Sequence, residues 1–323
     1  MGRVAEETKV IPTLKTLAAI AVLAIVQAMA NAQNTPQAAT LNLAQRLGYP
    51  ADSKLLIIHA DDLAVAHSAD EASFTALESG VVTSASVMVP CPWLLEVSEW
   101  FKAHPDADLG LHLTLTSEWK DYRWGPVAPR DQVASLVNPD GYFWPEVLPV
   151  VKHATPEDVE REIRAQIERA IAVGIHPTHL DMHMGTLAAR EDYYAVFIKV
   201  AHEYHLPFLA LRVPGSQAKW LSMLTPNDPV LDSLTVFNPS VKPETWTESY
   251  VHALGTLKPG FNEMIVHLAH DDSEFQAITA GHPDYGAAWR ARDFKAVTSP
   301  EFRKALDDNH IILVHWKDLK KVM

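Results

Sequence analysis

The segment Leu55-Leu56-Ile57-Ile58-His59-Ala60-Asp61-Asp62 limits the fold more than any other stretch of the chain. Four consecutive apolar residues, two of them β-branched, read as a strand covered on both faces, as in a parallel sheet flanked by helices. The strand runs directly into His59, Asp61 and Asp62. Adjacent carboxylates at the end of a buried strand are costly to desolvate unless paired, hydrogen-bonded or bound to a cation. The stretch therefore reads as a strand that delivers a site.

The same rhythm recurs downstream. Residues 67–78 have helical spacing, with Gly80 as the stop, and 85–89 form a buried strand closed by Pro90 and Pro92. Residues 94–103 read as a helix and 109–115 as a third strand. Thr155-Pro156-Glu157-Asp158 starts a helix in the strongest way available, with Thr as cap, Pro next and acids in the first turn; the helix runs to about Ala172 before Gly174. Strands follow at 177–182, 208–212, 261–268 and 311–316, with helices at 191–203, 245–254 and 300–308. This alternation predicts one parallel α/β domain over residues 51–323, barrel-like or doubly wound, with its site at the C-terminal ends of the strands.

Residues 116–150 break the rhythm. They carry Trp119, Tyr122, Trp124, Tyr142, Phe143 and Trp144 among five prolines. Such an insertion serves as a substrate-binding wall or lid, or packs as a small core of its own. If exposed, it is also a natural surface for a homodimer.

A formal net charge of -13 argues against non-specific binding to nucleic acid or to anionic membranes. Arg3, Lys9 and Lys15 precede an apolar run at 17–26, and Ala30-Asn31-Ala32 follows as a small-x-small cleavage site. Residues 1–32 thus read as a signal peptide, with 33–50 as a lead-in, and the mature chain is expected in the periplasm or outside the cell. No later segment supplies a membrane span. Cys91 is the single cysteine, so no internal disulfide forms, and with no base nearby in sequence it reads as a buried structural thiol.

Four groups of titratable residues end expected strands: Asp61/Asp62, His112, His179-Leu180-Asp181-Met182-His183, and His267. Positions 179, 181 and 183 share a face if the strand continues through them. A carboxylate with two imidazoles fills three protein positions of a catalytic metal site and leaves room for water and substrate. Recurrence at four strand ends favours a site over isolated structural histidines.

These motifs resemble a known family. His59-Ala60-Asp61-Asp62-Leu63 and the region to Val81-Val82-Thr83-Ser84-Ala85 look like the opening motif of the YdjC-like, or ChbG-type, carbohydrate deacetylases. Gly110-Leu111-His112-Leu113-Thr114-Leu115 resembles their second motif, Thr178 to His183 their third, and Glu263-Met264-Ile265-Val266-His267 the late one. The resemblance implies a single deformed (β/α) TIM-like barrel and one divalent metal held by Asp62, His112 and His183. It implies Asp61 as general base, His267 as general acid and Arg212 as the arginine that orients the base or binds substrate. His59, His179 and Asp181 would support the ligands or touch substrate, and Trp124 and Trp144 would stack on sugar faces. The reaction implied is metal-assisted hydrolysis of the acetamide of an N-acetylated glycan or amino sugar.

The chain departs from the family pattern at three places. His59 replaces the usual Asn, Met184-Gly185 follow the third motif, and the late motif continues as Leu268-Ala269-His270-Asp271-Asp272. Zinc is the first expectation for the ligand set, and cobalt, nickel, iron or magnesium also fit. Competing readings of the same residues are hydrolysis of a non-sugar amide, ester or phosphoester, and an exported glycan-binding barrel without turnover.

Overall fold

Among the described residues, seven parallel strands form one sheet: β1 (Lys54–Leu63), β2 (Ser84–Val87), β3 (Leu109–Leu113), β4 (Leu180–Met182), β5 (Ser233–Val236), β6 (Gly260–His267) and β7 (Ile311–Leu313). The computed structural model describes residues 41–212, 222–238 and 240–323. The strand order is β4-β3-β2-β1-β6-β5, with β7 paired to the start of β1. Between β4 and β5 the circuit is carried by single bridges, Leu180 to Phe208 and Leu211 to Leu231. The result is a curled, incompletely closed sheet, a deformed TIM-like barrel. Residues 42–323 make one compact unit. The expectations for a signal peptide at 1–32 and for most of the 33–50 lead-in fall outside the described residues.

Alternation along β1 divides the core. Leu56, Ile58 and Ala60 pack outward under the helices. Leu55 and Ile57 turn inward onto Leu231, Phe261, Trp316 and Leu319, which plug the barrel at the N-terminal ends of the strands. His59 and Asp61 continue that inward face, so the titratable residues sit directly above an apolar plug.

Local signals account for the helices. The helix Pro156–Ala172 begins where the Thr155 side chain accepts from the Asp158 N–H at 3.2 Å. The helix Pro300–Asp308 begins in the same way at Ser299. The helices His67–Glu78, Leu94–Ala103 and Glu191–Glu203 match their expected spans. Residues 208–212 were expected as a strand, but they make only isolated bridges. The helix Ala287–Val297 and strand β5 were not foreseen. Among the described residues, no helix is long and apolar enough to cross a membrane.

The insertion after β3 packs into the main core, where Trp119, Trp124, Val133, Leu136 and Phe143 join the residues under the helices. Trp124 is buried, donates its indole N–H to the Thr116 carbonyl at 2.7 Å and meets Trp119 edge-on at 5.6 Å. Trp144 stacks on His153 at 4.5 Å and donates to the Ser135 carbonyl. Both rings are engaged inside the fold.

Candidate metal centre

Asp61 and Asp62 both reach the site because the backbone breaks strand alternation. Asp62 and Ala64 adopt φ of 70° and 73°, and the β1–β2 register shifts between Ala60 and Leu63. The left-handed region disfavours non-glycine residues by roughly 1–2 kcal/mol each. Asp70, through the Ala64 N–H at 2.6 Å, holds this turn in place. Regular pleating would have sent Asp62 outward with Ala60.

Asp62, His112 and His183 converge. The Asp62 Oδ1 atom lies 3.3 Å from His112 Nε2 and 3.3 Å from His183 Nδ1. All three are buried, and their candidate ligand atoms fall within 4.8 Å of one another. Oδ1 of Asp62 has no hydrogen-bond donor. Each histidine is held from its other nitrogen, His112 Nδ1 by Asp181 at 2.7 Å and His183 Nε2 by Glu118 at 3.2 Å. Carboxylates placed behind imidazoles in this way fix the ring orientation and raise ligand basicity. His183 begins a 3₁₀ segment rather than continuing β4. It reaches Asp62 from that turn.

The electrostatics demand positive charge at this point. Burial opposes the charged form of His183, yet Glu118 and Asp62 push its pKa up to about 9. His112 is raised well above its ordinary value against the same burial cost, chiefly by Asp181 and Asp61. Burial likewise works against ionised Asp62, but Arg290 and the two histidines hold it well below the usual carboxylate range. The undonated Oδ1, two oriented imidazoles and surplus carboxylate fit a divalent cation.

Asp61 sits beside this trio. Its Oδ2 is 3.7 Å from His112 Nε2 and 3.8 Å from His267 Nε2, and burial lifts its pKa to about 6. Asp61 and His267 are direct partners across β1 and β6. Burial, reinforced by Arg290, His112 and His183, takes His267 down to about 3, so it is a neutral imidazole. Asp293 accepts the His267 backbone N–H at 3.0 Å and anchors it. Below the trio, His59 Nε2 contacts Asp181 at 3.0 Å and Asp61 at 3.3 Å. His179 stacks on Trp316 at 5.1 Å, in space that only Gly110 leaves free: a Cβ there would lie 2.4 Å from the imidazole.

Arg212 is not brought to the cluster. Its side chain is 65% exposed, with Nε 3.4 Å from Asp232. The guanidinium that reaches the aspartate pair comes from Arg290, 2% exposed, which donates to Asp62 Oδ2 at 2.7 Å. Arg290 lies against the rings of Phe275 and Trp119, at 5.2 and 5.8 Å. Trp124 and Trp144 are absent from the residues lining the cleft. Sequence reasoning missed Arg290, Asp293 and Glu118. The run Ala287-Ala288-Trp289-Arg290-Ala291-Arg292 after Gly286 was the available signal for the helix that carries the first two.

A curled parallel sheet bearing a carboxylate–histidine–histidine set at its C-terminal rim, with a further carboxylate alongside, is the site of a metal-dependent hydrolase. The family model described as YdjC-like protein matches residues 55–308, and the chain belongs to that family. A carbohydrate deacetylase of Thermus thermophilus is 33% identical over 294 residues, covering 88% of this chain and 100% of that protein. A chitooligosaccharide deacetylase of Yersinia enterocolitica is 26% identical, covering 79% of this chain and 94% of its own length. A solved structure from Enterococcus faecalis, provisionally assigned to cellobiose-phosphate cleavage, superposes with a TM-score of 0.70 at 26% identity. It covers 83% of this chain and 99% of its own.

Proposed function

We propose that the chain is a metal-dependent deacetylase that removes the acetyl group from N-acetylated amino sugars or oligosaccharides. The observation that carries this reading is the buried Asp62–His112–His183 trio with Asp61 against it, in a chain whose relatives are carbohydrate deacetylases. Asp62, His112 and His183 would hold a divalent cation, which would supply an activated water and a polarised acetamide carbonyl. Asp61 takes the proton as the water attacks. We assign His267, which faces Asp61 across β1 and β6, as the group that serves the departing amine. Arg290 keeps Asp62 ionised, and Asp181 and Glu118 hold the imidazoles in register. Acetate and the free amine are the products.

Zinc suits this donor set best, with cobalt, nickel, iron and magnesium as competitors. We further propose that residues 1–32 direct export and that the substrate belongs to the periplasm or the exterior. The test is acetate release from a panel of N-acetylated glycans, using protein stripped of metal and reloaded with each ion in turn. Metal-restored release that vanishes in Asp61→Asn supports the assignment. A metal bound at the trio with no acetate from any glycan redirects it to another amide or ester. Failure to bind any metal sinks the mechanism.

A further inference from the structure

The cleft above the metal centre has a volume of about 710 Å³, within the roughly 300–1,000 Å³ of small-molecule sites. Its two halves differ in kind. Every acidic and basic side chain that lines it, from Asp61 to Arg290, gathers around the metal trio. Away from the trio the lining is aliphatic: Leu209, Leu211, Leu234, Val236 and Ile265, with Met184 at the edge beside His183. Leu234 and Val236 pair with Glu263 and Ile265, so these side chains share the inner face of β5 and β6 with His267.

The two tyrosines bordering the cleft do not add hydroxyls to that half. Tyr194 donates its O–H to the Leu209 carbonyl at 2.8 Å, and Tyr285 to the Phe237 carbonyl at 3.3 Å. Glycan subsites match each sugar hydroxyl with a polar partner and lay rings on aromatic faces. Among the described residues, Leu209, Leu211, Leu234, Val236 and Ile265 offer no polar side chain, and the aromatic faces at the cleft are those of the two tyrosines. Burying hydroxyls against this wall without partners opposes binding.

We propose that the aliphatic half receives a hydrocarbon group carried on the amine side of the substrate, so that the enzyme acts on an N-acetylated amino sugar bearing an alkyl aglycone. The proposal rests on the deacetylase reading for the acetamide, and on the wall alone for the alkyl group. Two features place the chain on the amine side. His267, which serves the departing amine, lies two residues from Ile265 on the same face of β6. The apolar lining also continues to the mouth, where Met184 and Val236 are 46% and 39% exposed, so a long group can run outward. A pocket for the acyl group alone needs no such extension.

The test compares methyl, butyl and octyl N-acetyl-β-glucosaminides, with N-octanoylglucosamine as the acyl-chain counterpart. Acetate or octanoate release is followed with metal-loaded protein, and binding to Asp61→Asn is followed by calorimetry. Each methylene buried should strengthen capture roughly fourfold, giving about 100-fold between methyl and octyl when about three or four of the added methylenes enter the cleft. Leu234→Asn should cut the octyl-to-methyl ratio about tenfold. A flat series, or preferred binding of N-octanoylglucosamine, overturns the proposal, as does an unchanged ratio in Leu234→Asn. Tight octyl binding without acetate from any glycoside rejects the deacetylase reading but upholds the alkyl subsite. Neither release nor preference rejects both.

Discussion

One barrel interior carries two opposite surfaces. On β1, β3 and β4 the inward positions are His59, Asp61, His112 and Asp181, stacked in contact with one another. On β5 and β6 the equivalent positions are Leu234, Val236 and Ile265, interrupted only by Glu263 below and His267 above. The same strand geometry, alternating side chains on a parallel sheet, thus supports both. The difference lies in what each half needs from its surroundings. The aliphatic half is stable wherever water is excluded. The polar half is stable only when its charges are paired, so Arg290 and Glu118 must arrive from outside the sheet, with Asp293 anchoring the His267 backbone.

The hardest way to break the polar half is to remove the base. Asp61→Asn keeps the side-chain volume but cannot take a proton. Deacetylation should fall by about 10²–10⁴-fold. Metal content, measured by atomic absorption, should stay near one equivalent because Asp62, His112 and His183 are untouched. Activity within a few fold of the parent would show that another group is the base.

Arg290 tests whether the polar half depends on its imported charge. Arg290→Met retains much of the contact with Phe275 and Trp119 but leaves Asp62 Oδ2 facing an apolar chain. Breaking a buried ion pair from one side typically costs about 3–5 kcal/mol. Urea unfolding of the metal-free protein should show a loss of that order, partly recovered when a divalent cation is added. The equivalent change on the exposed pair, Arg212→Met, should cost no more than about 1 kcal/mol. Equal losses would mean that Arg290 contributes packing only.

Asp181 gives a smaller, sharper contrast. Asp181→Asn leaves His112 in place but weakens the acceptor for its Nδ1. Metal affinity should drop about 10–100-fold, the usual effect of losing a partner behind a ligand. The loss of one methylene in the aliphatic half, Ile265→Val, should leave metal affinity within twofold. Competition with a chromogenic chelator measures both.

The residues that sequence made legible are those whose cue is local. The apolar run into Asp61-Asp62, the Thr155-Pro156 cap and the histidines at strand ends each declare themselves within a few positions. They were enough to anticipate a parallel α/β domain with its site at the strand ends; the family resemblance then singled out Asp62, His112 and His183, which the structure brings together. Arg290 was not legible because its partner Asp62 lies 228 residues away in sequence, and its helix is buried at Ala287, Trp289, Asp293 and Ala296, so no clear polar face marks it. Arg212 was named through family resemblance, and the structure turns it to Asp232. Trp124 and Trp144 show the limit of composition: an aromatic side chain looks the same in sequence whether it packs a core or faces a sugar. β5 escaped because four residues, Ser233 to Val236, are too few to establish a period.

Glu162 supplies the mildest test, and it isolates burial from metal chemistry. It lies on the outer side of β3, where it accepts the Val127 and Ala128 N–H groups at 3.0 Å each and the Gln166 amide at 2.8 Å. Burial nevertheless raises its pKa from 4.5 to about 7, with those three donors pulling the other way. Between these values the folded chain keeps a proton that the unfolded chain has released. The Glu162 contribution is therefore full below pH 4.5 and is lost as the pH rises through about 7. Glu162→Gln removes the titration. It also leaves one backbone N–H without an oxygen, a pH-independent cost of about 1–3 kcal/mol. Thermal melts across this range should show the stability gap between parent and variant narrowing as pH increases. A constant gap would mean that Glu162 titrates alike folded and unfolded, and that its three donors offset its burial in full, as Arg290 and the two histidines do for Asp62.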